Sequence, residues 1–336
     1  MVLVTGGTGL VGSHLLYFLS KRNDRVRAVY RKNADIDAVK NVFALYTPEV
    51  DPLFKKIEWV EANLNDIPAL SEAFTGVTTV YHCAALITFD PAKYKLLKKI
   101  NVEGTANIVN ISLAHNVAKL CYVSSVATLG ATTNNQLITE ETPWNPEERN
   151  SVYAITKYNA EMEVWRGAQE GLDVVIVNPG VILATPPSKG GSSAIFSTAA
   201  RGIPFYPTGT MGVVDVVDVA KSMVLLMDSP IKNEHFVLVA ENISYKKLLS
   251  SVAVLFGKKP PTLKLSKGFM YILSGVDWIL GKFFGTKRSI PRAVVRSMFT
   301  KSLYDSGKLK AATGFQFTPV STTLKRMAQE QKEASN

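Results

Sequence analysis

The sequence predicts an α/β protein: a doubly wound parallel sheet with helices on both faces, completed by a smaller, mostly helical C-terminal lid. Three observations predict it. Short, almost wholly apolar runs alternate with helical patterns through the first two-thirds of the chain, as strands covered on both faces and joined by crossover helices do. A glycine-rich turn, "TGGTGLVG", joins the first apolar run to the first helical pattern. After about Gly180 the rhythm breaks into "ATPPSKGGSS" and "GIPFYPTGTMG", and helical segments with fewer strands follow. These shifts divide the chain into a sheet domain over 1–180 with interleaved segments near 205–240, a discontinuous lid over 181–330, and a flexible tail over 331–336.

The expected strands are Val2–Thr5, Val26–Tyr30, Ile57–Glu61, Thr79–His82, Lys119–Ser124 and Val174–Val177, each followed by a helical stretch such as "PALSEAF" or "GTANIVNISLAHN". In the first connection, Gly7-x-Gly9-x-x-Gly12 and Gly6-x-x-Gly9-x-x-Gly12 are dinucleotide-type spacings, and Leu10, Val11, Leu15, Leu16 and Leu19 follow at helical spacing. Glycine admits positive φ and close approach of a ligand to the backbone. The N–H groups at the helix start then face an anion with the helix dipole behind them. Gly6, Thr8, Gly9, Leu10, Val11 and Gly12 are therefore candidates for a pyrophosphate site in a Rossmann-type sheet; the bland alternative is a tight strand–helix turn.

Composition narrows the classes. A chain of 336 residues with 46% hydrophobic and 20% charged residues is ordinary for a globular protein. Met1 runs straight into the first strand, which leaves no room for a signal peptide and sets a cytoplasmic expectation. Cys83 and Cys121 lie in apolar runs without a CxxC pair, and His14, His82, His115 and His235 have no ligand spacing, so no metal site is expected. The net charge of +10 is lopsided: Leu255 to Asn336 holds 15 Lys/Arg against 4 Asp/Glu, a net +11, which leaves −1 for the rest. A solvated basic face or attraction to an acidic substrate or membrane surface would explain it. Nucleic acid would not, because no aromatic-basic motif or recognition helix accompanies the charge. The stretch "GFMYILSGVDWILGKFF" (Gly268–Phe284) contains Asp277 and Lys282 and is short for a span of ~20 apolar residues. A helix facing the pocket or core, or one lying in a membrane interface, fits it better.

"SVYAITKYNAE" places Tyr153 and Lys157 four residues apart on a predicted helix, hence on one face. Upstream, "YVSS" puts Ser124 and Ser125 at the carboxyl edge of the fifth strand. A phenol with its ordinary pKa near 10 is a poor neutral-pH catalyst unless its anion is stabilised. Lys157 would supply that charge, and Ser125 would hold a substrate oxygen against the phenol.

With "TGGTGLVG", "YVSS" and "YAITK" in order, the chain resembles the extended short-chain dehydrogenase/reductase family, also called the NAD-dependent epimerase/dehydratase family. Further motifs fall in sequence: "ANLND" (Ala62–Asp66), "HCAAL" (His82–Leu86), "INVEGT" (Ile100–Thr105), "VNPGVIL" (Val177–Leu183) and "VVDVVDVA" (Val213–Ala220). The resemblance implies catalysis by Ser125, Tyr153 and Lys157, with Asn101 kinking its helix and linking Lys157 to solvent through a water. It implies that Asn63 and Leu64 frame the adenine, Ala84, Ala85, Pro179 and Val181 frame the nicotinamide, and a homodimer forms through the helices carrying Asn101 and Tyr153. The adenine position usually holds Asp where this chain has Asn63.

The second strand ends "RAVYRK" with no carboxylate for a ribose 2′-hydroxyl. Arg31 and Lys32 suit a 2′-phosphate instead, so NADP(H) is expected and NAD(H) remains the alternative. Val126 and Ala127 follow Ser125 where dehydratases carry acids, and Met211, Gly212 and Val216 stand where nucleotide-sugar epimerases carry Arg and His. The texture is that of the dihydroflavonol reductase-like branch, with Phe89, Phe205, Tyr206, Met211 and Met270 suiting a fairly apolar carbonyl or alcohol substrate. An NAD-dependent nucleotide-sugar epimerase and a non-catalytic NADP sensor are the alternatives.

Overall fold

The structure, a computed structural model, describes residues 1–22, 25–132, 136–185, 192–284, 288 and 290–333. In chain order its elements begin β1 (Val2–Thr5), α1 (Leu10–Lys21), β2 (Val26–Tyr30), α2 (Ala38–Ala44), α3 (Val50–Phe54), β3 (Ile57–Glu61), α4 (Ile67–Ala73), β4 (Thr79–His82), α5 (Tyr94–Leu97), α6 (Gly104–Ala114), β5 (Lys119–Val123) and α7 (Val152–Gln169). They continue with β6 (Asp173–Pro179), β7 (Val181–Leu183), α8 (Ser192–Ala200), β8 (Phe205–Tyr206), β9 (Thr210–Asp215), α9 (Val216–Asp228), β10 (Glu234–Leu238) and β11 (Glu241–Ser244). The last are α10 (Tyr245–Leu255), β12 (Leu263–Lys264), α11 (Lys267–Phe284), α12 (Arg292–Phe299), α13 (Gly307–Thr313) and α14 (Val320–Glu333).

Among the described residues, seven strands form one parallel sheet in the order β10-β6-β5-β4-β1-β2-β3. Winding reverses between β1 and β4, and the crevice outside the carboxyl ends of those strands is where such a sheet takes a ligand. The central strands are apolar on both faces because both are covered: Val174 to Val177 of β6 are fully buried. One face packs Leu15, Leu16 and Leu19 of α1 against Val219, Met223 and Leu226 of α9. The other packs Leu70 of α4, Ile108 of α6 and Val164 of α7. The seventh strand, β10, comes from the interleaved region, whereas β9 pairs with β7 and β11 in a separate small sheet.

The lid has its own core, built on Phe196, Tyr206, Met211, Leu248 and Leu324. In α11, Met270 and Ser274 are buried while much of the remaining apolar surface is exposed. One expectation about the chain's end changes. α14 runs through Glu333, so residues 331–333, read as tail, form a helix whose inward side includes Leu324, Met327 and Ala328. The Pro/Gly/Ser-rich break at 186–191 and the tail positions 334–336 lie outside the described residues.

Candidate functional site

The chain leaves β1 at Thr5 and turns at Gly6, whose φ of +68° lies in the left-handed region. A Cβ there would stand 2.7 Å from the Ala84 nitrogen, so the turn and the loop after β4 meet backbone to backbone at the reversal of winding. A Cβ at Gly12 would stand 2.2 Å from the Gly6 carbonyl oxygen. Gly12 is buried, and what demands glycine is the closing of α1 onto the turn. This departs from the expectation that Gly12 itself faces the phosphates; Gly9 is the exposed glycine. The start of α1 is also uncapped. Ser151, Asp215 and Ser244 cap α7, α9 and α10 with side-chain oxygens, whereas α1 begins at Gly9 with no side-chain cap and no acid in its first turn. Its free N–H groups and dipole fit an anionic group such as a pyrophosphate.

The other expected cofactor residues ring the same edge. Arg31 and Lys32 are exposed just past β2. Asn63 is exposed past β3, where its Oδ1 accepts the Asn65 N–H at 3.2 Å. Leu64 packs on Gly104, and its carbonyl accepts from Asn107 Nδ2 at 2.9 Å. Ala84 N donates to Thr5 Oγ1 at 3.3 Å, and Ala85 is exposed beside it. Pro179 ends β6, and Val181 opens β7 after one intervening glycine.

The structure encloses the Tyr153 phenol beside Ser125, whose side chain draws the phenol's pKa down against the larger push of burial. Ser125 Oγ also accepts the Ala127 N–H at 3.1 Å, capping the short turn Val126–Thr128. Burial pushes the Tyr153 phenol up to about 12 despite the opposing pull of Ser125, so the proton stays on at neutral pH. The Phe89 ring stands edge-on to Tyr153 at 5.5 Å between centroids. Phe205 is exposed, and Tyr206 and Met211 belong to the lid core, so of the five apolar candidates Phe89 is the one in ring contact with the phenol. Lys157 is 1% exposed. Its Nζ donates to Tyr122 Oη at 2.5 Å and to the Val123 carbonyl at 2.7 Å. Burial brings it down to about 7, with Glu161 and Cys83 pulling the other way.

Asn101 sits in a π-helical widening over Lys98–Glu103. Its amide is brought onto the loop after β4: Oδ1 accepts from Leu86 N at 2.8 Å, and Nδ2 donates to the Leu86 carbonyl at 3.0 Å and to Thr156 Oγ1 at 3.3 Å. Asn101 therefore clamps that loop to α7 one residue before Lys157.

Three supports were not assigned to the site by the sequence reading. Glu161, 3% exposed, accepts Ser124 Oγ at 2.5 Å, Thr128 Oγ1 at 2.8 Å and Asn178 Nδ2 at 3.0 Å on one carboxylate oxygen. His235 Nδ1 lies 3.5 Å from the other oxygen. Those bonds outweigh the cost of burial and hold its carboxyl below the ordinary value. His82 joins Thr5 Oγ1 at 2.6 Å to Thr105 Oγ1 at 3.0 Å, and its ring stacks on that of Tyr122, whose phenol Lys157 grips. Burial and the nearby Lys157 charge bring His82 down to about 3, so it is neutral. A signal for Glu161 was present, because Tyr153, Lys157 and Glu161 repeat every four residues on one helix face. Tyr122 and His82 carried none, since a polar residue in a buried strand announces no partner. Burial pushes the Cys83 thiol up to about 12 and that of Cys121 well above its ordinary value, which suits inert core residues. Among the described residues no His/Cys/Asp/Glu group could hold a metal ion.

Comparison with known proteins gives the family. The model of the NAD dependent epimerase/dehydratase family matches residues 2–239. The chain belongs to that family and is an NAD(P)-dependent reductase/dehydrogenase in the family's broad sense. It is similar to a putative dihydroflavonol 4-reductase of Synechocystis sp., 27% identical over 331 residues that cover 96% of this chain and 91% of that protein. It is also similar to cinnamoyl-CoA reductase 1 of Oryza sativa subsp. japonica, 28% identical over 277 residues, 79% of this chain and 78% of that one. The crystal structure of gox2253 superposes with a TM-score of 0.82 at 28% identity, covering 99% of this chain and 98% of that chain.

Proposed function

We propose that this protein reduces the carbonyl of a fairly apolar ketone or aldehyde with NADPH, and in the reverse direction oxidises the corresponding alcohol. The observation that carries the reading is the Tyr153 phenol, enclosed beside Ser125 and the Phe89 ring and raised to about 12 by burial. A phenol that keeps its proton at neutral pH is the donor a reduction needs. Bound NADPH supplies the hydride; Gly9 and the start of α1 would hold its pyrophosphate, and Arg31 and Lys32 its 2′-phosphate. Ser125 positions the carbonyl oxygen, Tyr153 passes its proton to that oxygen, and Lys157 stabilises the phenolate left behind. Phe89 presents an apolar wall beside the phenol. The reductase names of similar proteins support the same direction of reaction. The nucleotide-sugar epimerase alternative is weakened by the lid, where the Cα of Gly212 is hemmed by Tyr304 and Val239 and Met211 is buried, so neither offers a cation to a diphosphate. Tyr94, Leu96 and Met162 are exposed apolar positions on α5 and α7, consistent with pairing of two copies along these helices.

Tyr153→Phe tests the reading, because it keeps the ring and removes the proton donor. Turnover of a carbonyl panel with NADPH should fall by about 10²- to 10⁴-fold while NADPH affinity is unchanged. Retention of more than about a tenth of the activity would remove Tyr153 from the role.

A further inference from the structure

The lid helix α11 (Lys267–Phe284) turns its apolar side outward. Met270 and Ser274 are its buried positions, at 6% and 1% exposure. On the opposite side Phe269, Ile272, Val276, Ile279, Leu280 and Phe283 are exposed, up to 66% for Ile272 and 70% for Phe283. Their spacing of three or four residues gathers them into one stripe about 100° wide, the width a surface helix ordinarily turns toward a protein core. Here that stripe faces away from the protein, and isolated exposed apolar residues do not account for a run this regular. No described helix is long and apolar enough to cross a membrane.

Charge identifies the occupant. Between Lys258 and Lys301 the only acidic residue is Asp277. It is half-buried, 3.8 Å from Arg288 Nε, and accepts the Ile290 N–H at 3.1 Å. The exposed charged residues of this part of the chain, Lys258, Lys259, Lys264, Lys267, Lys282 and Arg292, are all positive. Lys282 lies over the exposed Trp278 ring at 5.1 Å, an aromatic-cation pair suited to the boundary between water and headgroups. A second copy of this chain would press two positive rims together, whereas an anionic bilayer neutralises the rim and takes up the stripe. The patch also has a fixed place relative to the site. α11 packs on α12, and Arg296 of α12 donates to the Arg149 carbonyl, four residues before Tyr153.

We infer that α11 docks this protein on anionic lipid membranes, the helix lying in the interface plane with its apolar stripe among the upper acyl chains and its lysines among the headgroups. This docking is independent of the reductase reading, since it uses no residue of the Ser125–Tyr153–Lys157 set.

Flotation of the full chain with vesicles tests it. The protein should float with phosphatidylcholine vesicles containing phosphatidylglycerol and stay below with phosphatidylcholine alone, and added salt should weaken the binding. Ile272→Asp combined with Ile279→Asp should lower the ratio of bound to free protein at least about tenfold. Lys267→Glu with Lys282→Glu should abolish the preference for the anionic lipid. Both doubly substituted proteins should keep the wild-type circular dichroism spectrum and NADPH affinity. Failure of the wild type to float, or flotation unchanged by the aspartates, would overturn the inference. So would light scattering that shows wild-type dimers which the aspartates dissociate, since the stripe would then be covered by a second copy.

Discussion

α7 and α11 are both 18 residues long, and each breaks the ordinary rule of burial in the opposite sense. α7 carries Lys157 and Glu161 inside the protein, and α11 carries Phe269, Ile272 and Phe283 outside it. Apolar residues inside and charges outside need no explanation; the reverse does. In α7 every inverted residue has partners: Lys157 has Tyr122 and Val123, and Glu161 has Ser124, Thr128 and Asn178. Among the described residues the stripe of α11 is left exposed. A satisfied inversion marks a site built in advance, and an unsatisfied one marks a surface that needs something else to cover it.

The comparison is most exposed to failure at Lys157. Lys157→Met keeps the length of the side chain and removes the charge from a fully enclosed position. Turnover should fall by more than the ~10²-fold minimum for a lost acid–base partner, because the phenolate of Tyr153 loses its stabilising cation. Tyr122 and Val123 also lose their donor, so NADPH affinity should fall together with rate. A substituted enzyme with normal affinity and a modest rate defect would make Lys157 a structural residue only.

Stability should separate the two helices next. Glu161→Ala leaves the Ser124, Thr128 and Asn178 donors buried without their acceptor, at a cost of about 3 kcal/mol. Ile272→Asp on α11 should shift stability by no more than about 0.5 kcal/mol. Urea unfolding of the two proteins reads both. Equal losses would mean that α11 is covered within the folded chain after all.

Acid should then weaken the fold through the neutral histidines. His82 is brought down to about 3 by burial and Lys157, and His14 to about 4 by burial and Arg326. Above the ordinary histidine value of 6.5 neither the folded nor the unfolded chain binds these protons, and the full stability is present. Between 6.5 and the folded values the unfolded chain takes up protons that the fold refuses, so stability falls as pH falls, by about 1.4 kcal/mol per pH unit for each histidine. Glu161, held below its ordinary value, adds a loss of the same sign lower down. His82→Gln should flatten the dependence between pH 6.5 and about 5. Stability independent of pH across that interval would show that the fold accommodates the charged rings.

The sheet was legible because its strands are too apolar for any place but the centre of a layered fold, and the glycine turn dates the first crossover within one residue. The edge carrying Ser125, Tyr153 and Lys157 was legible for the same reason: it follows from strand ends and one helical repeat. What supports that edge was less so. Lys157 is gripped by Tyr122 from a neighbouring strand, and Glu161 gathers residues from the loop after β5, from β6 and from β10, contacts that depend on register across the sheet and leave no pattern along the chain. Gly12 shows the same limit in miniature, since the spacing identifies the turn but not which glycine faces outward. The outward stripe of α11 has the periodicity of a core helix, and only its placement reveals that the face points away.

The smallest effect expected is at Arg31, a charge in the ordinary place. It is exposed past β2 with Lys32 beside it, so its attraction for a 2′-phosphate acts through water and is screened. Arg31→Asp should therefore weaken NADPH binding by about tenfold, equivalent to about 1.4 kcal/mol, and the loss should shrink as salt is added. NADH binding should hold or improve, because a carboxylate at that position can accept the ribose 2′-hydroxyl. Titrating both cofactors against the substituted protein separates the charge effect from general damage to the turn. Equal losses for the two would take Arg31 out of cofactor choice. A loss confined to NADPH would show that an exposed cation sets specificity here, in contrast to the buried one, Lys157, whose role is in rate.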